Sequence, residues 1–274
     1  PIRLLLNAEP FGFGPTAAIA ALQPLLRDKF AEIAYIGSGH TLDLQRQLPY
    51  NAVYDQSKLS TEQQHELLKR YDVMITASDF DMARAAKAAG LKLCVYDPLT
   101  WYWKRFPRIA KKADLYIAQD FFGVRSRLSK EFNNQSRYTL VPPIVTEAKA
   151  EAAREDILIN LGGLQNPHWP LEEAVSYART LLKCLRQIIP ADEKVIVATS
   201  SAIAQQLDDP DVKTYSVEQM VALRQSCRLA FMTPGLGNIF DSAADGVPTV
   251  WLPPANDSQG QQARILQSVC CAAR

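Results

Sequence analysis

Short, almost continuous apolar runs alternate with helix-length segments along this chain, and the pattern plays out twice. In the first half the runs are 2–7, 32–37, 72–77, 92–97, 114–119 and 138–141, with helical patterns over 15–30, 60–71, 81–89 and 124–132. Strands that are apolar at successive positions have no solvent face, so the sheet they form must be covered on both sides. Helices between them then serve as crossovers, which predicts parallel strands. Ser60 followed by Gln63 marks one helix start as a capping box.

The pattern breaks at "VPPIVTEAKAEAARED", 141–156, where a double proline precedes a charged, alanine-rich stretch. It restarts with strands at 157–161, 194–199, 212–215, 228–232 and 249–252. Helical patterns fill 170–189, 201–207, 217–226, 237–245 and 259–272. The expected organisation is an α/β chain of two doubly wound, Rossmann-like domains, residues 1–142 and 156–274, joined by a linker at 143–155. Such domains bind ligands at the carboxyl ends of their strands, here in a cleft between the two.

Composition excludes several function classes. With 30 Lys and Arg against 29 Asp and Glu, the chain lacks the charge footprint of a nucleic-acid binder. Lys104, Arg105, Arg108, Lys111 and Lys112 read as a solvated face. No apolar run reaches the length of a membrane span, and "PIRLLLNAEPFGFG" reads as a buried strand entering a loop, not a signal peptide. Cys94, Cys184, Cys227, Cys270 and Cys271 show no metal or redox spacing, so reduced thiols in a cytoplasmic protein are expected.

Three loops can carry chemistry. "NAEPFGFGPTAA" joins the first strand to the first helix, where amides and the helix dipole favour a polar ligand. Gly12 and Gly14 do not complete a dinucleotide fingerprint, because Ala17 stands where the third glycine belongs. "INLGGLQNPHWP" places Gly162 and Gly163 after a strand, where a backbone can approach a phosphate. Gln165, Asn166 and His168 add polar groups there. "TPGLGNIFDSAADGVPTVWLPPANDSQGQQA", 233–263, sets two glycines, an acid and a run of amides along a strand–helix–strand unit. Asp241 in that helix can accept from the vicinal hydroxyls of a ribose.

The spacing G-x-G-x-x-x-[D/E]-x-x-x-x-G-x-P, followed by P-x-x-x-[D/Q]-Q-x-x-[N/Q]-A, resembles the donor half of GT-B glycosyltransferases. The nearest group is the nucleotide-sugar-dependent one that includes the peptidoglycan N-acetylglucosaminyltransferase and the UDP-glycosyltransferases. The likeness is most specific over 228–263, moderate over 157–165 and architectural over 1–141. "FGFGPTAA" with "YDPLTWYW" also resembles the cytosylglucuronate synthases. The resemblance implies transfer of a sugar from a nucleotide diphosphate sugar, of the UDP type, to a small acceptor with inversion, without a metal and without a cofactor. It implies Gly162 and Gly163 beneath the diphosphate, with Gly235, Gly237 and Asn238 framing it. Val217 would meet the nucleobase, Asp241 hold the ribose and Gln259 read the sugar, with Gln262 in place of the usual asparagine. Ser258 replaces the usual acid or amide. The group also commonly carries a last helix, beyond the one at 259–272, that returns to the first domain.

Inverting transfer needs a general base. Many relatives use a histidine on the first glycine-rich loop, and "PFGFGPTAA" has none. Glu9 is the titratable group there, and Asp97 and Asp79 lie at the ends of later strands. Asp79 sits at a helix start, where capping accounts for it. Glu9 and Asp97 stand level as base. Gly12, Gly14, Trp101 and Trp103 are the acceptor-side candidates, the indoles as stacking surfaces in "DPLTWYWKRF". The fold also serves nucleotide-sugar hydrolases and epimerases, and a non-catalytic sugar-nucleotide binder is a further alternative.

Overall fold

The computed structural model describes residues 1–145, 154–166 and 168–272, without the side chains of 270–272. Two compact units divide the chain, Pro1–Ile144 and Val145–Arg274. Most of the linker expected at 143–155 falls on residues 146–153, outside the described residues.

In the first unit the strands are β1 (Arg3–Ala8), β2 (Glu32–Gly37), β3 (Ala52–Asp55), β4 (Val73–Ala77), β5 (Lys92–Asp97), β6 (Leu115–Gln119) and β7 (Tyr138–Val141). They form one parallel sheet in the order β3-β2-β1-β4-β5-β6-β7. Between them run α1 (Gly14–Leu26), α2 (Thr41–Gln45), α3 (Thr61–Leu68), α4 (Phe80–Ala88) and α5 (Val124–Glu131). Leu4, Leu5 and Leu6 of β1 are all fully buried. Leu5 packs with Met74, Leu93 and Tyr116 on one face, while Leu4 and Leu6 pack with Ile19 and Tyr35 on the other. A period of two, covered on both sides, is why the run looks continuous in sequence.

The second unit repeats the principle with β8 (Asp156–Asn160), α6 (Leu171–Ile188), β9 (Val195–Ala198), α7 (Ser201–Leu207), β10 (Val212–Lys213) and α8 (Val217–Ser226). It continues through β11 (Cys227–Met232), α9 (Leu236–Asp245), β12 (Thr249–Trp251) and α10 (Asp257–Ala272). The parallel order is β10-β9-β8-β11-β12. Ile157 and Ile159 face the core beneath α6, and Leu158 faces the opposite one.

Two elements escape the sequence pattern. α2 is too short for a helical period to register, and β3 is an edge strand whose residues are only partly buried. α1 stops at Leu26, short of the expected 30, where the chain turns through 27–29. In each sheet the order reverses beside the first strand, between β1 and β4 and between β8 and β11. Loops leaving the carboxyl ends of those strands diverge and leave a crevice, and the glycine-rich loops sit there.

Candidate functional site

In the second unit, a chain of side-chain amides spans the switch point. Asn160 ends β8, and its Oδ1 accepts the Gly162 N–H at 2.9 Å. Its Nδ2 donates to Asn238 Oδ1 at 3.3 Å, and Asn238 Nδ2 donates to the Thr233 carbonyl at 2.9 Å. Asn238 lies in the first turn of α9, whose cap, Gly235, has no side chain to satisfy the first amides. Those amides and the positive end of the helix dipole suit an anion. Gly163 adopts φ +79°, and a Cβ on Gly162 would lie 2.9 Å from Asn160 Oδ1. This turn therefore requires glycine at both positions.

Strands β9 and β11 flank β8, and each ends in a buried hydroxyl without a protein partner, Ser200 Oγ and Thr233 Oγ1. Gln262 Oε1, in the second turn of α10, is likewise buried and unpartnered. Buried polar atoms are satisfied in all but a few cases. Ser200 and Thr233 follow two strands of one sheet at their carboxyl ends, where a ligand could supply the missing partner.

Asp241 lies in α9 with its carboxylate 3.2 Å from Arg224 Nη1 of α8. Arg224 also holds Asp245 at 2.5 Å, with the Asp245 side chain 1% exposed. Asp241, partly exposed, thus belongs to a cluster anchored in the core. Gln259, the residue expected to read the sugar, lies in the first turn of α10. Its Oε1 accepts the Ala255 N–H at 2.8 Å, and its backbone N–H donates to Asn256 Oδ1 at 3.0 Å, so Asn256 caps α10 and the Gln259 side chain reaches back to the residue before that cap. The unpartnered amide oxygen in this helix is that of Gln262. Val217, half exposed, opens α8 behind a Ser216–Gln219 capping box.

In the first unit, Glu9 leaves β1 with its N–H donating to the Ala77 carbonyl of β4 at 2.9 Å. Burial, then the charges of Asp79 and Asp81, raise its carboxyl from 4.5 to about 7. A carboxylate poised near neutrality suits general base work. Asp79 caps α4, accepting the Met82 N–H at 2.9 Å, and is 6% exposed. Burial raises it too.

Asp97 is corrected as a base. It is fully buried, and both oxygens are taken. Oδ1 accepts the Leu99 N–H at 2.7 Å, and Oδ2 accepts Trp103 Nε1–H and the Tyr116 hydroxyl, each at 2.7 Å. Burial pushes its carboxyl up against those donors. No acceptor proton can reach it, and its place is that of a structural hub. Trp103 is accordingly oriented by Asp97, while Trp101 is half-buried against the core, with Phe121 as its ring partner. Gly12 holds φ +61° in the loop, and Gly14 opens α1 with open space where a Cβ would stand.

His40 lies outside the three loops whose sequence points to chemistry, yet it contacts one of them. It follows β2, and β1–β2 pairing carries it to the β1 loop, where Nε2 lies 2.5 Å from the Gly12 carbonyl. A carbonyl only accepts, so Nε2 carries the proton. The imidazole packs edge-on against Phe13, centroids 5.1 Å apart. The loop without a histidine of its own is thus braced by one from the next strand. Nothing in local spacing signals this.

Among the described residues no group of three His, Cys, Asp or Glu side chains is placed to hold a metal ion. None of their helices is long and apolar enough to cross a membrane. Cys94, Cys184 and Cys227 are free thiols; the side chains of Cys270 and Cys271 lie outside the described residues.

No protein-family model matches the chain, and no curated protein matches it in sequence. Solved structures do match in fold. MurG of Acinetobacter baumannii is similar at 13% identity and a TM-score of 0.57, covering 98% of this chain and 83% of its own. UGT89C1 of Arabidopsis thaliana, solved with UDP, is similar at 11% identity and a TM-score of 0.54, covering 91% and 80%. A putative UDP-N-acetylglucosamine 2-epimerase from Listeria monocytogenes is similar at 12% identity and a TM-score of 0.53, covering 92% and 79%. The fold is the α/β GT-B fold.

Proposed function

We propose that the protein is a glycosyltransferase that moves a sugar from a UDP-sugar to the hydroxyl of a small acceptor with inversion. The observation that carries this reading is the Asn160–Asn238–Thr233 bridge at the β8–β11 switch point. The bridge holds the glycine turn beside the uncapped first turn of α9. A diphosphate offers the acceptor oxygens that Gly162, Gly163 and the α9 amides would satisfy. Gln262, Thr233 and Ser200 would meet hydroxyls of the donor, and Asp241, held by Arg224, would accept from the ribose. Solved UDP complexes of the same fold support the nucleotide assignment.

In this reading the first unit holds the acceptor and Glu9 is the base. The acceptor oxygen attacks the anomeric carbon as the Glu9 carboxylate takes its proton. The bond from that carbon to the diphosphate breaks, and UDP leaves with the electron pair. Charge on the departing diphosphate is met by backbone amides and the α9 dipole.

The test is a thermal-shift titration with UDP, other nucleoside diphosphates and UDP-sugars, followed by product analysis. Ligand binding to the folded state raises the melting temperature by mass action. UDP and UDP-sugars are expected to raise it, and Asp241→Ala to remove most of the rise. No shift with any nucleotide defeats the reading. A UDP-sugar consumed without an acceptor, giving free sugar or an epimer, would replace transferase by hydrolase or epimerase.

A further inference from the structure

Both ends of α2 grip the segment 12–16, which closes the glycine-rich loop of the first unit and opens α1. Before the first residue of α2, His40 Nε2 lies 2.5 Å from the Gly12 carbonyl, and the imidazole packs on Phe13. At the last residue of α2, the Gln45 side-chain amide donates to the Thr16 carbonyl at 2.7 Å and to the Thr16 hydroxyl at 2.8 Å. Gln45 Oε1 accepts the Tyr50 hydroxyl at 2.6 Å. Both amide protons and the oxygen are therefore engaged, which fixes the side chain in one orientation. Gln45 and Thr16 are fully buried. Buried amides that are fully satisfied impose one geometry, which apolar contact does not.

The segment needs such fixing. Gly12 and Gly14 are the freest residues of the loop, and Gly12 stands at φ +61°. A helix of five residues does not stand by its own hydrogen bonds, so α2 depends on these contacts as much as the loop does. The loop begins at Glu9, whose N–H donates to the Ala77 carbonyl of β4 at 2.9 Å, and the Phe11 N–H donates back to the Glu9 carbonyl at 2.8 Å. Glu9 is thus tied to β4 on one side and, through Phe11 and Gly12, to α2 on the other. A loop ordered only when the acceptor arrives would lose binding energy and alignment of the reacting groups.

We propose that His40 and Gln45 are positioning residues, a two-point clamp that presets the loop carrying Glu9 before the acceptor binds. This role rests on the transferase reading, in which Glu9 is the base. The charges acting on the Glu9 carboxyl are those of Asp79 and Asp81, at the start of α4. His40 is not among them, so it reaches Glu9 through the loop and not through its own charge.

The test is an NMR titration of the full chain carrying isotope-labelled glutamate carboxyls, with the Glu9 signal identified by its loss in Glu9→Gln. Hydrogen exchange across the loop and the start of α1, and the melting temperature, are measured on the same variants. In the unaltered chain Glu9 is expected to titrate at about 7. In His40→Ala and in Gln45→Leu the loop opens to water, and the midpoint should fall by about one pH unit or more as burial is lost. The segment should then exchange about tenfold faster, the scale of one hydrogen bond. His40→Gln, whose amide N–H can stand where the Nε2 proton does, is expected to keep the native midpoint, and the shorter His40→Asn is not. Gln23→Leu is the control. It removes the Gln23–Pro49 bond farther along α1, and should lower the melting temperature without moving Glu9.

An unmoved Glu9 in both His40→Ala and Gln45→Leu overturns the clamp. So does an equal shift in Gln23→Leu, which reduces the effect to lost stability, and so does a His40→Gln variant as impaired as His40→Ala. None of these readings needs a nucleotide, and failure of UDP to bind the unaltered protein is the separate failure of the transferase reading.

Discussion

The indole N–H of Trp103 donates to the carboxylate of Asp97 at 2.7 Å, where the acid is fully buried and has no cation paired to it among the described residues. Tyr116, Leu99 and Ser78 supply the remaining donors. The carboxylate ties the end of β5 to β6 and to the aromatic loop. Asp97→Asn puts an amide N–H against the Leu99 N–H or the Trp103 indole N–H, which can only give. Leaving such buried groups unsatisfied costs about 1–3 kcal/mol, so the melting temperature of the variant should fall. Near-ultraviolet circular dichroism of the tryptophans should weaken with it. An unchanged melting temperature would show that the network holds nothing in place.

Glu9 carries a pH signature. Its carboxyl rises from 4.5 to about 7 in the folded chain, so the native state holds a proton that the unfolded state has lost across that interval. Stability therefore declines as pH rises from about 4.5 through 7. Glu9→Gln removes the burden, and should stabilise the protein above pH 7 by about 2 kcal/mol while changing little near pH 4, after allowance for screening at its exposed edge. As base it must be deprotonated, so kcat/KM should climb with pH and level off above about 7. Glu9→Gln should lower kcat by 10²-fold or more, on the order of a general base contribution. A rate insensitive to the substitution would remove Glu9 from the chemistry.

Gly162 has no room for a side chain, since a Cβ would stand 2.9 Å from Asn160 Oδ1. Gly162→Ala must displace Asn160 and break its bonds to Gly162 and Asn238. About 1 kcal/mol of stability is expected to go. The larger effect should be on UDP, with affinity down about tenfold (1.4 kcal/mol) by calorimetry. Unaltered UDP affinity would place the phosphates elsewhere.

Arg224 is the keystone of the α8–α9 contact. It pairs with Asp241 and with the buried Asp245, which also accepts from Gln225 at 3.2 Å. Arg224→Met strands a buried carboxylate, a loss of about 3–5 kcal/mol. Adding Asp245→Leu removes that charge and should restore at least half of the lost stability in urea denaturation. Additive losses in the double variant would contradict the account.

Much of the architecture is legible in local pattern. Leu4, Leu5 and Leu6 demand cover on both faces, and Ser60 with Gln63 announces a helix start that forms as written. Gly162 and Gly163 mark the turn after β8, where a side chain would clash or meet a left-handed backbone, while Gly235 opens α9 and the left-handed Gly246 ends it. These features depend on period and on residues a few positions apart, and so on the sequence by itself.

Only the tertiary structure decided which side chains meet. Asp97 and Glu9 are both acids at strand ends, and burial separates them. One is sealed among donors, while the other is partly buried, and that burial together with the charges of Asp79 and Asp81 lifts its carboxyl to about 7. His40 reaches Gly12 through strand pairing, and Arg224 reaches Asp241 through helix packing. Desolvation and charge act through space, so the groups that set them lie tens of residues apart in the chain.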